Sequence, residues 1–472
     1  MNQGWNFEHT YAELPEIFYR RQNPADASAP RMVIFNRELA EILGLNADAL
    51  QDAVGIFSGA LLPGGANPIA QAYAGYQFGH FAMLGDGRAV LLGEHITPDG
   101  RKFDIQLKGS GRTPYSRGGD GSAALLPMLR EYIISEAMFH LAIPTTRSLA
   151  VALTGKDVIR EKILPGAVLT RVASSHIRVG TFNYIAAFGN KNNADLIRLA
   201  DYSIRRHFPW LDDVELGHEN KYLLFLKEIA RLQAALIAKW QAVGFIHGVM
   251  NTDNVAISGE TIDYGPCAFM DIYDPDTVFS SIDTHGRYAH KNQPAIGAWN
   301  LAKLAESLLP LFDDNRDRAI ELANNELNLY WQHYNDQWLA GMRAKLGIVT
   351  EEPEDAGLIA ELLDLMHRHK LDYTNTFRSK FAAPELRYWR EKWLSIVKSA
   401  DIDMMKQHNP AVIPRNHRVE EALAAAEQGD LAVMDNLLAA LRNPYEDSAE
   451  SAKYSIVPEA EISQKYCTFC GT

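Results

Sequence analysis

Every second residue is apolar in the segment 102–108, and this alternation predicts a β-strand with one buried face. The segment 88–94 is also strand-like, and Gly85-Asp86-Gly87 before it is typical of a turn between two strands. Further strands are expected near 146–153, 157–160 and 167–179. The pattern therefore predicts a region rich in β-structure before about residue 180.

Apolar residues three and four positions apart predict helices elsewhere in the chain. One helix is expected over 122–142, with Ser122 as its N-cap. A second is expected over 219–243, and Gly244 suits its C-cap because glycine tolerates a left-handed backbone. The chain is also expected to be mostly helical over 296–442.

The order of these elements indicates the fold class. A β-rich half with one helix leads into a long helix, a polar loop and a helical half. This is the layout of an α+β, protein-kinase-like bilobal fold, with a small N-lobe and a large C-lobe. The expected divisions are an N-terminal extension at 1–70, the N-lobe at 71–180, the helical C-lobe with its catalytic loop and metal site at 181–443, and a flexible tail at 444–472.

Composition narrows the class of protein. Hydrophobic residues make up 47% of the 472 positions and charged residues 22%, which is ordinary for a globular protein. The sequence has no apolar run of about 18 residues, so no membrane-spanning helix is expected. No secretory signal is visible, and a cytoplasmic location is therefore expected. The net charge of −13, without a long basic run, argues against a nucleic acid or an anionic membrane as partner.

The loop His247-Gly-Val-Met-Asn-Thr-Asp-Asn254, followed by Asp263-Tyr-Gly265, looks like the catalytic loop and metal-binding turn of a kinase. Such loops carry an Asp where Val249 stands, and that Asp takes the proton of the acceptor hydroxyl. Valine cannot carry a proton, whereas Asn254 and Asp263 retain the oxygen ligands that Mg²⁺ prefers. The chain is therefore either an inactive kinase or an ATP-binding protein with a reaction other than transfer of the γ-phosphoryl group.

Each residue of this loop also has a plainer interpretation. Asp253 could accept a proton from the acceptor or support the metal, but it could equally cap the loop. Asn254 and Asp263 could be the polar ends of a β-hairpin. The order of His-Gly, Asn and Asp-aromatic-Gly along the chain favours the metal site.

Lys108 ends the alternating strand, at the place where a kinase lysine contacts the phosphates of ATP. Such a lysine needs a carboxylate from the following helix. Glu131 lies at the mid-helix position that the pairing requires, and Glu136 is the alternative. Taken alone, Lys108 is more simply a solvated lysine at a strand end, and the downstream loop reverses that preference.

Two glycine turns and two arginines complete the candidate nucleotide-binding residues. Gly85-Asp86-Gly87-Arg88 could bring backbone N–H groups and a guanidinium to a phosphate, although a hairpin also explains the turn. Asp120-Gly121 is similarly ambiguous. Arg171 and Arg178 would lie on opposite faces of one straight strand, unless Ser174-Ser175 break the strand and let both side chains approach one site.

The cysteines are Cys267, Cys467 and Cys470, too few for a disulfide-stapled secreted fold. Cys467 and Cys470 form a Cys-x-x-Cys pair, a spacing that often lowers a thiol pKa and suits redox chemistry. The tail could bond back to Cys267, beside the candidate metal site, and so couple activity to redox state. Unrelated thiols are the open alternative, and zinc is disfavoured because it needs four ligands.

Six segments together resemble signatures of the selenoprotein O (SelO) family, and the resemblance covers nearly the whole chain. They are Tyr73–Gly79, Leu84–Arg88, Gln106–Arg117, Leu129–Glu136, His247–Asn254 and Asp263–Pro266. The terminal Cys-x-x-Cys resembles the motif that holds selenocysteine in some relatives. Ser122 departs from the family, since relatives often carry Arg at that position.

The resemblance implies a pseudokinase that transfers AMP from ATP to Ser, Thr or Tyr hydroxyls of proteins, with the nucleotide flipped relative to ordinary kinases. It implies Asp253 as the base and Asn254 and Asp263 as ligands of Mg²⁺ or Mn²⁺. The nucleotide pocket that it implies comprises Gly85, Gly87, Arg88, Lys108 held by Glu131, Asp120, Gly121, Arg171, Arg178 and Asp263. Some relatives accept UTP with Mn²⁺, which implies UMP transfer as a second activity.

Two other functions remain open from the sequence. A kinase-like phosphotransferase is disfavoured by Val249, and labelling from the α- or the γ-phosphate of ATP would separate it from an adenylyltransferase. A non-catalytic nucleotide-binding scaffold is disfavoured because Asp253, Asn254 and Asp263 are all retained.

Overall fold

The computed structural model describes residues 3–213, 220–397 and 400–458. Its strands are β1 (Phe7–Glu8), β2 (Tyr19–Arg21), β3 (Arg31–Phe35), β4 (Ile69–Gln71), β5 (Ala74–Gln77), β6 (His80–Met83), β7 (Ala89–Ile96), β8 (Lys102–Lys108), β9 (Ala123–Ala124), β10 (Arg147–Ile159), β11 (Ile163–Ala173), β12 (Phe245–Ile246) and β13 (Ala268–Phe269). Its α-helices are α1 (Arg37–Ile42), α2 (Ala47–Gln51), α3 (Val54–Phe57), α4 (Leu125–His140), α5 (Val179–Phe188), α6 (Ala194–His207), α7 (Trp210–Asp213), α8 (Lys221–Val243), α9 (Gln293–Phe312), α10 (Arg316–Leu346), α11 (Asp355–Arg368), α12 (Tyr373–Arg378), α13 (Arg387–Ile396), α14 (Ile402–His408), α15 (Asn416–Glu427), α16 (Ala432–Leu441) and α17 (Ala449–Tyr454).

A nine-stranded antiparallel sheet forms the N-terminal half of the molecule. Its main path runs β2-β4-β7-β8-β11-β10-β3, while β1 pairs with β7 and β9 with β11. The strand predicted over 102–108 is β8, and it lies between β7 and β11. Lys108 at its end is therefore opposite Ala89 on one side and Leu169 on the other.

Three local predictions are corrected by the pairing. The Gly85-Asp86-Gly87 turn does not join paired strands, because β6 pairs with β5 in a separate hairpin and β7 belongs to the main sheet. Ser122 does not cap the following helix, because β9 intervenes and Ala124 occupies the N-cap position of α4. The strand predicted over 167–179 ends at Ala173, where β11 leaves the sheet.

Helices pack on the sheet and form the C-terminal region. α4 packs on β10 and β11, and its face bearing Leu129, Ile133 and Ala137 is buried in the main core, as its helical spacing predicts. Burying each such leucine or isoleucine stabilises the fold by about 1.5–3 kcal/mol. α8 packs against α9 and α10, and it ends at Gly244, whose φ of +71° is the left-handed conformation expected of a glycine C-cap.

Both terminal segments contact the rest of the fold. Three strands within 1–70, namely β1, β2 and β3, pair with β7, β4 and β10. Within 444–458, α17 is a helix, Tyr454 is buried, and Tyr445 Oη donates a hydrogen bond to Leu141 O at 3.2 Å. Cys467 and Cys470 lie outside the described residues.

The architecture is therefore α+β, with an antiparallel N-terminal sheet and a helical C-terminal region. Across residues 3–213, 220–397 and 400–458, none of the helices is both long and apolar enough to cross a membrane.

Candidate active site

A cavity of about 560 Å³ lies where the sheet meets the loop after β12. It brings together residues that are far apart in the sequence. Those that the sequence predicted are Gly85, Gly87, Arg88, Lys108, Asp120, Gly121, Arg171, Arg178, Asp253, Asn254 and Asp263. Such a concave site with several convergent polar groups is the usual form of a ligand pocket.

Glu131 lies behind this cavity and binds two of its cationic side chains, Lys108 and Arg171. Its Oε2 accepts a hydrogen bond from Lys108 Nζ at 2.5 Å, and its Oε1 accepts two from Arg171, at 2.7 and 3.0 Å. All three side chains are buried. Glu136, the other candidate partner of Lys108, pairs with Arg147 instead. The carboxylate that pairs with Lys108 is therefore Glu131.

Asp263 is surrounded by the same cations from the cavity side. Its Oδ1 accepts hydrogen bonds from Lys108 Nζ at 2.8 Å and Arg171 Nη2 at 2.6 Å, and its Oδ2 accepts one from Arg178 Nη2 at 3.3 Å. Burial alone would raise the pKa of Asp263, but the three cations hold that pKa well below its ordinary value. The side chain is therefore a carboxylate throughout the physiological range.

The end of β11 explains how both arginines meet at Asp263. Arg171 lies within β11, whereas Arg178 follows the break at Ser174-Ser175 and is the N-cap residue of α5. The Arg178 guanidinium also lies 4.3 Å from the centre of the Tyr73 ring. The break at Ser174-Ser175, which the sequence analysis gave as the condition for both arginines to reach one site, is present. It lets two arginines seven positions apart bind the same carboxylate.

Asp253 is the most unusual carboxylate in the cavity. It lies in a 3₁₀ turn, Thr252–Asn254, and is buried, yet its Oδ1 has no hydrogen-bond partner. Burial raises its pKa to about 7, with Asp263 adding to the rise and Arg178 opposing it. A group with this pKa exchanges a proton near neutral pH, as a general base must.

Gly75 in β5 makes room for Asp253. A β-carbon at position 75 would lie only 2.0 Å from Asp253 Oδ1, closer than any side chain tolerates. The same hairpin is tied to the loop by two hydrogen bonds, from Tyr76 N to Thr252 Oγ1 at 2.9 Å and from Phe78 N to Asn251 Oδ1 at 3.1 Å. β5 therefore sets the position of the carboxylate.

Asn254 and Asp263 fit the chemistry of a hard divalent cation. Asn254 Nδ2 donates to Val249 O at 2.9 Å, which fixes the amide and leaves its oxygen for a ligand. Mg²⁺ and Mn²⁺ accept amide and carboxylate oxygens together with phosphate oxygens and water. In the part of the chain that the structure describes, no group of three or more His, Cys, Asp and Glu could hold a metal by itself.

The glycine turns bring the backbone close to the cavity. Gly85 has a φ of +90°, and a β-carbon there would lie 2.5 Å from the Tyr115 ring. Gly121 has a φ of +69°, and a β-carbon there would lie 2.2 Å from the carbonyl oxygen of Gly111. Asp120 lines the cavity, but it is half exposed and pairs with Arg160 at 2.8 Å.

Several cavity residues were missed by the sequence analysis. Asp86 is the most important: it is buried between the two glycines of its turn, 3.6 Å from Arg178, and burial raises its pKa. A Gly-Asp-Gly turn normally exposes its Asp, so only the surrounding strands could have revealed this burial. Other cavity residues to which the sequence analysis assigned no role include Tyr73, Gln106, Tyr115, Arg117, Arg160 and Asn251.

Cys267 lies four residues after Asp263 but does not line the cavity. Its side chain is completely buried, and its carbonyl oxygen accepts a hydrogen bond from Arg130 Nη2 at 2.9 Å. A thiol in this position is shielded from solvent. The suggested bond to Cys467 or Cys470 concerns residues outside the described part of the chain.

The sequence is closely similar to those of known nucleotidyltransferases. The family described as protein adenylyltransferase SelO matches residues 3–409. A protein nucleotidyltransferase YdiU of Geobacillus kaustophilus is 58% identical over 491 residues, covering 100% of each chain. YdiU of Anoxybacillus flavithermus is 58% identical over 487 residues, again covering 100% of each, and that of Brevibacillus brevis is 57% identical over 488 residues, covering 99% of this chain and 98% of its own. The chain therefore belongs to the SelO family of protein adenylyltransferases and is a protein nucleotidyltransferase.

Proposed function

We propose that this enzyme transfers AMP from ATP to a Ser, Thr or Tyr hydroxyl of a protein and releases pyrophosphate. The observation that carries the proposal is the placement of Asp253. Its buried, unpartnered Oδ1 belongs to the same cavity as Lys108, Arg171 and Arg178. Val249, at the position of the kinase base, is buried and cannot exchange a proton.

Asp253 acts as the general base in this scheme. With a pKa of about 7, a substantial fraction is deprotonated at neutral pH. Oδ1 accepts the proton of the acceptor hydroxyl as that oxygen forms a bond to the α-phosphorus. The bond from the α-phosphorus to the bridging oxygen breaks, and pyrophosphate leaves with its electron pair.

The three cations exchange partners when ATP binds. In the free protein they neutralise Asp263, and phosphate oxygens compete for the same donors. Each cation keeps a second buried carboxylate when it turns to phosphate. Lys108 and Arg171 keep Glu131, and Arg178 keeps Asp86. This second set of carboxylates holds the donors in place for the nucleotide.

Mg²⁺ or Mn²⁺ would be held by Asn254 and Asp263. Asp263 becomes free to bind the metal when its three cations turn to the phosphates. Such an ion neutralises charge on the pyrophosphate leaving group. The proposal includes UTP with Mn²⁺ as an alternative substrate, as the family resemblance implies.

A flipped nucleotide and a protein-kinase-like bilobal fold are part of the same proposal. A kinase presents the γ-phosphorus to the acceptor, with its base at the position of Val249. Moving the base to Asp253 suits a nucleotide that presents its α-phosphorus. The antiparallel sheet, the Lys108–Glu131 pair and the helical C-terminal region support the kinase-like arrangement.

We also propose that a disulfide between Cys267 and Cys467 or Cys470 couples activity to redox state. Because Cys267 is completely buried, its bond would require local opening of the segment after Asp263. Non-reducing peptide mapping of oxidised protein should find the link, and its absence would remove this part of the proposal.

Intact-mass spectrometry of an acceptor protein tests the main proposal. After incubation with ATP and Mg²⁺, the acceptor should gain a unit of adenosine monophosphate, and Asp253→Asn should not support the gain. A gain of a phosphate unit would mean a phosphotransferase, and nucleotide binding without any modification would mean a scaffold.

A further inference from the structure

An exposed apolar surface lies beside the candidate catalytic loop. We call it the hairpin surface and define it by Tyr76 and Phe81 of the β5–β6 hairpin, Met83 at its end, Phe188 of α5 and Trp299 of α9. Phe81, Met83 and Phe188 are 41%, 55% and 48% exposed. Exposed apolar side chains that cluster on a folded protein commonly mark a contact site for another molecule.

Ring contacts make these residues one surface. The centre of the Phe81 ring lies 6.2 Å from that of Phe188 and 5.3 Å from that of Tyr76. The Tyr76 ring in turn lies 5.7 Å from Trp299, nearly perpendicular to it. Residues from a hairpin and two helices therefore form a connected aromatic surface.

The hairpin connects this surface to the candidate base. Gly75 and Tyr76 are neighbours in β5, where Gly75 lies against the Asp253 side chain and Tyr76 N donates to Thr252 Oγ1. Successive residues of a strand face opposite sides, so Gly75 faces the base while Tyr76 and its cross-strand partner Phe81 face the aromatic surface. A molecule on this surface would therefore be separated from Asp253 by the thickness of the hairpin.

Arg287 adds a positive charge without a carboxylate partner at the edge of the surface. Its guanidinium lies 4.7 Å from the centre of the Trp299 ring. The guanidinium interacts with the neighbouring Tyr288 hydroxyl, whereas its Nε and Nη2 are buried without a hydrogen-bond partner, and no ion pair of Arg287 occurs among the described residues. Lys303, 5.5 Å from the same ring, is already paired with Glu306. The Arg287 side chain as a whole is only partly buried, so a carboxylate of a bound molecule would meet it at its exposed part.

We propose that the hairpin surface and Arg287 dock the acceptor polypeptide, a proposal that rests on the adenylyl transfer proposed above. The segment that fits carries a bulky apolar side chain for Phe81 and Phe188, and an acidic side chain for Arg287, near the hydroxyl to be modified. The chain carries a net charge of −13, so attraction of an acidic segment requires a local cation such as this one. Aromatic residues and arginine are also the side chains that contribute most to protein interfaces.

A position-scanning peptide array tests the proposal. Each peptide contains one hydroxyl residue, with Glu, Lys, Leu or Ala substituted in turn at the flanking positions, and labelling is measured with ATP carrying ³²P at the α-phosphate. Wild-type enzyme should label the best Glu- and Leu-containing peptides about tenfold more than their Ala counterparts. Arg287→Glu should transfer the preference for Glu to Lys, and Phe81→Ser should remove the preference for Leu.

Matched control variants are available in α13. Tyr388 and Arg390 are exposed there, and Tyr388→Ser and Arg390→Glu should leave the peptide preferences unchanged. Preferences that persist in Arg287→Glu would overturn the docking proposal while leaving adenylyl transfer intact. Loss of self-association in Arg287→Glu, with unchanged preferences, would assign the surface to a second copy of the chain. Failure of wild-type enzyme to label any acceptor would overturn the proposed function, and docking with it.

Discussion

Asp86 and Arg178 form a buried pair beside the cavity, with 3.6 Å between Asp86 Oδ1 and Arg178 Nη1. Arg178 also donates to Asp263 at 3.3 Å, so the arginine lies between two carboxylates. Asp263 is a candidate metal ligand, and a metal would withdraw it from Arg178. Asp86 then remains as the carboxylate that keeps Arg178 directed at the nucleotide.

Replacement of Asp86 by Asn should weaken nucleotide binding more than chemistry. Removing this charge is expected to raise the KM for ATP about tenfold, which corresponds to about 1.4 kcal/mol, because Arg178 loses a buried carboxylate that positions it, with a smaller change in kcat. Steady-state kinetics over a series of ATP concentrations measures both. Asp99→Asn, at an exposed turn, is the control and should change neither. An unaltered KM in Asp86→Asn would remove the positioning role.

Glu131 and Glu136 lie in the same helix and are both buried, which makes them a matched pair. Glu131→Gln should lower kcat/KM by about 100-fold, because Lys108 and Arg171 lose the charge that places them. Glu136→Gln should reduce thermal stability through its bond to Arg147 while leaving the KM for ATP unchanged. Equal kinetic defects in the two variants would show a general effect of destabilising α4.

The sequence predicted the parts of this site that depend on local periodicity. The alternation of apolar and polar residues placed Lys108 at the end of β8, and the helical spacing of apolar residues placed Glu131 in the middle of α4. These two positions were enough to predict that the side chains pair. Asp86 was missed because its burial depends on Gln71 and Arg178, which contact it only through tertiary packing. The short strands β1 and β2 were missed for a similar reason, since two or three residues carry no clear period.

Activity should depend on pH through Asp253. The reaction needs the carboxylate, whose pKa is about 7, so kcat should rise with pH through neutrality and then level off. The pH dependence of kcat is measured over pH 5.5–8.5, a range centred on the pKa of Asp253. A flat profile with rate-limiting chemistry would contradict the role of Asp253.

The same group should lower stability at alkaline pH. Its folded-state pKa is raised above the ordinary value of 3.8, so its stabilising contribution is fully present below pH 3.8 and is lost as pH rises through about 7. Above pH 7 the cost approaches the order of 4 kcal/mol, and Asp253→Asn relieves it. The Tm of Asp253→Asn minus that of wild type should therefore increase from pH 5 to pH 8. Parallel Tm curves for the two proteins would argue against a raised pKa.

Gly75→Ala should displace the candidate base. The added methyl group would lie 2.0 Å from Asp253 Oδ1, so the carboxylate must move and activity should fall by at least about 100-fold, a loss of roughly 3 kcal/mol of transition-state stabilisation. Gly341→Ala is the matched control. A β-carbon at this position in α10 meets nothing within 4 Å, and the substitution should stabilise the helix by about 1 kcal/mol without loss of activity. Full activity in Gly75→Ala would show that Asp253 does not act from the observed position.

In the proposed reaction, Asp253 directs an acceptor hydroxyl to the α-phosphorus of ATP. Parallel reactions with ATP labelled with ³²P at the α- or the γ-phosphate, using wild type, Asp253→Asn and Asp263→Ala, test it most directly. Protein should be labelled only from the α-phosphate, and the label should be lost in both variants. Labelling from the γ-phosphate alone would show phosphoryl transfer instead, and α-labelling that persists in Asp253→Asn would rule out Asp253 as the base.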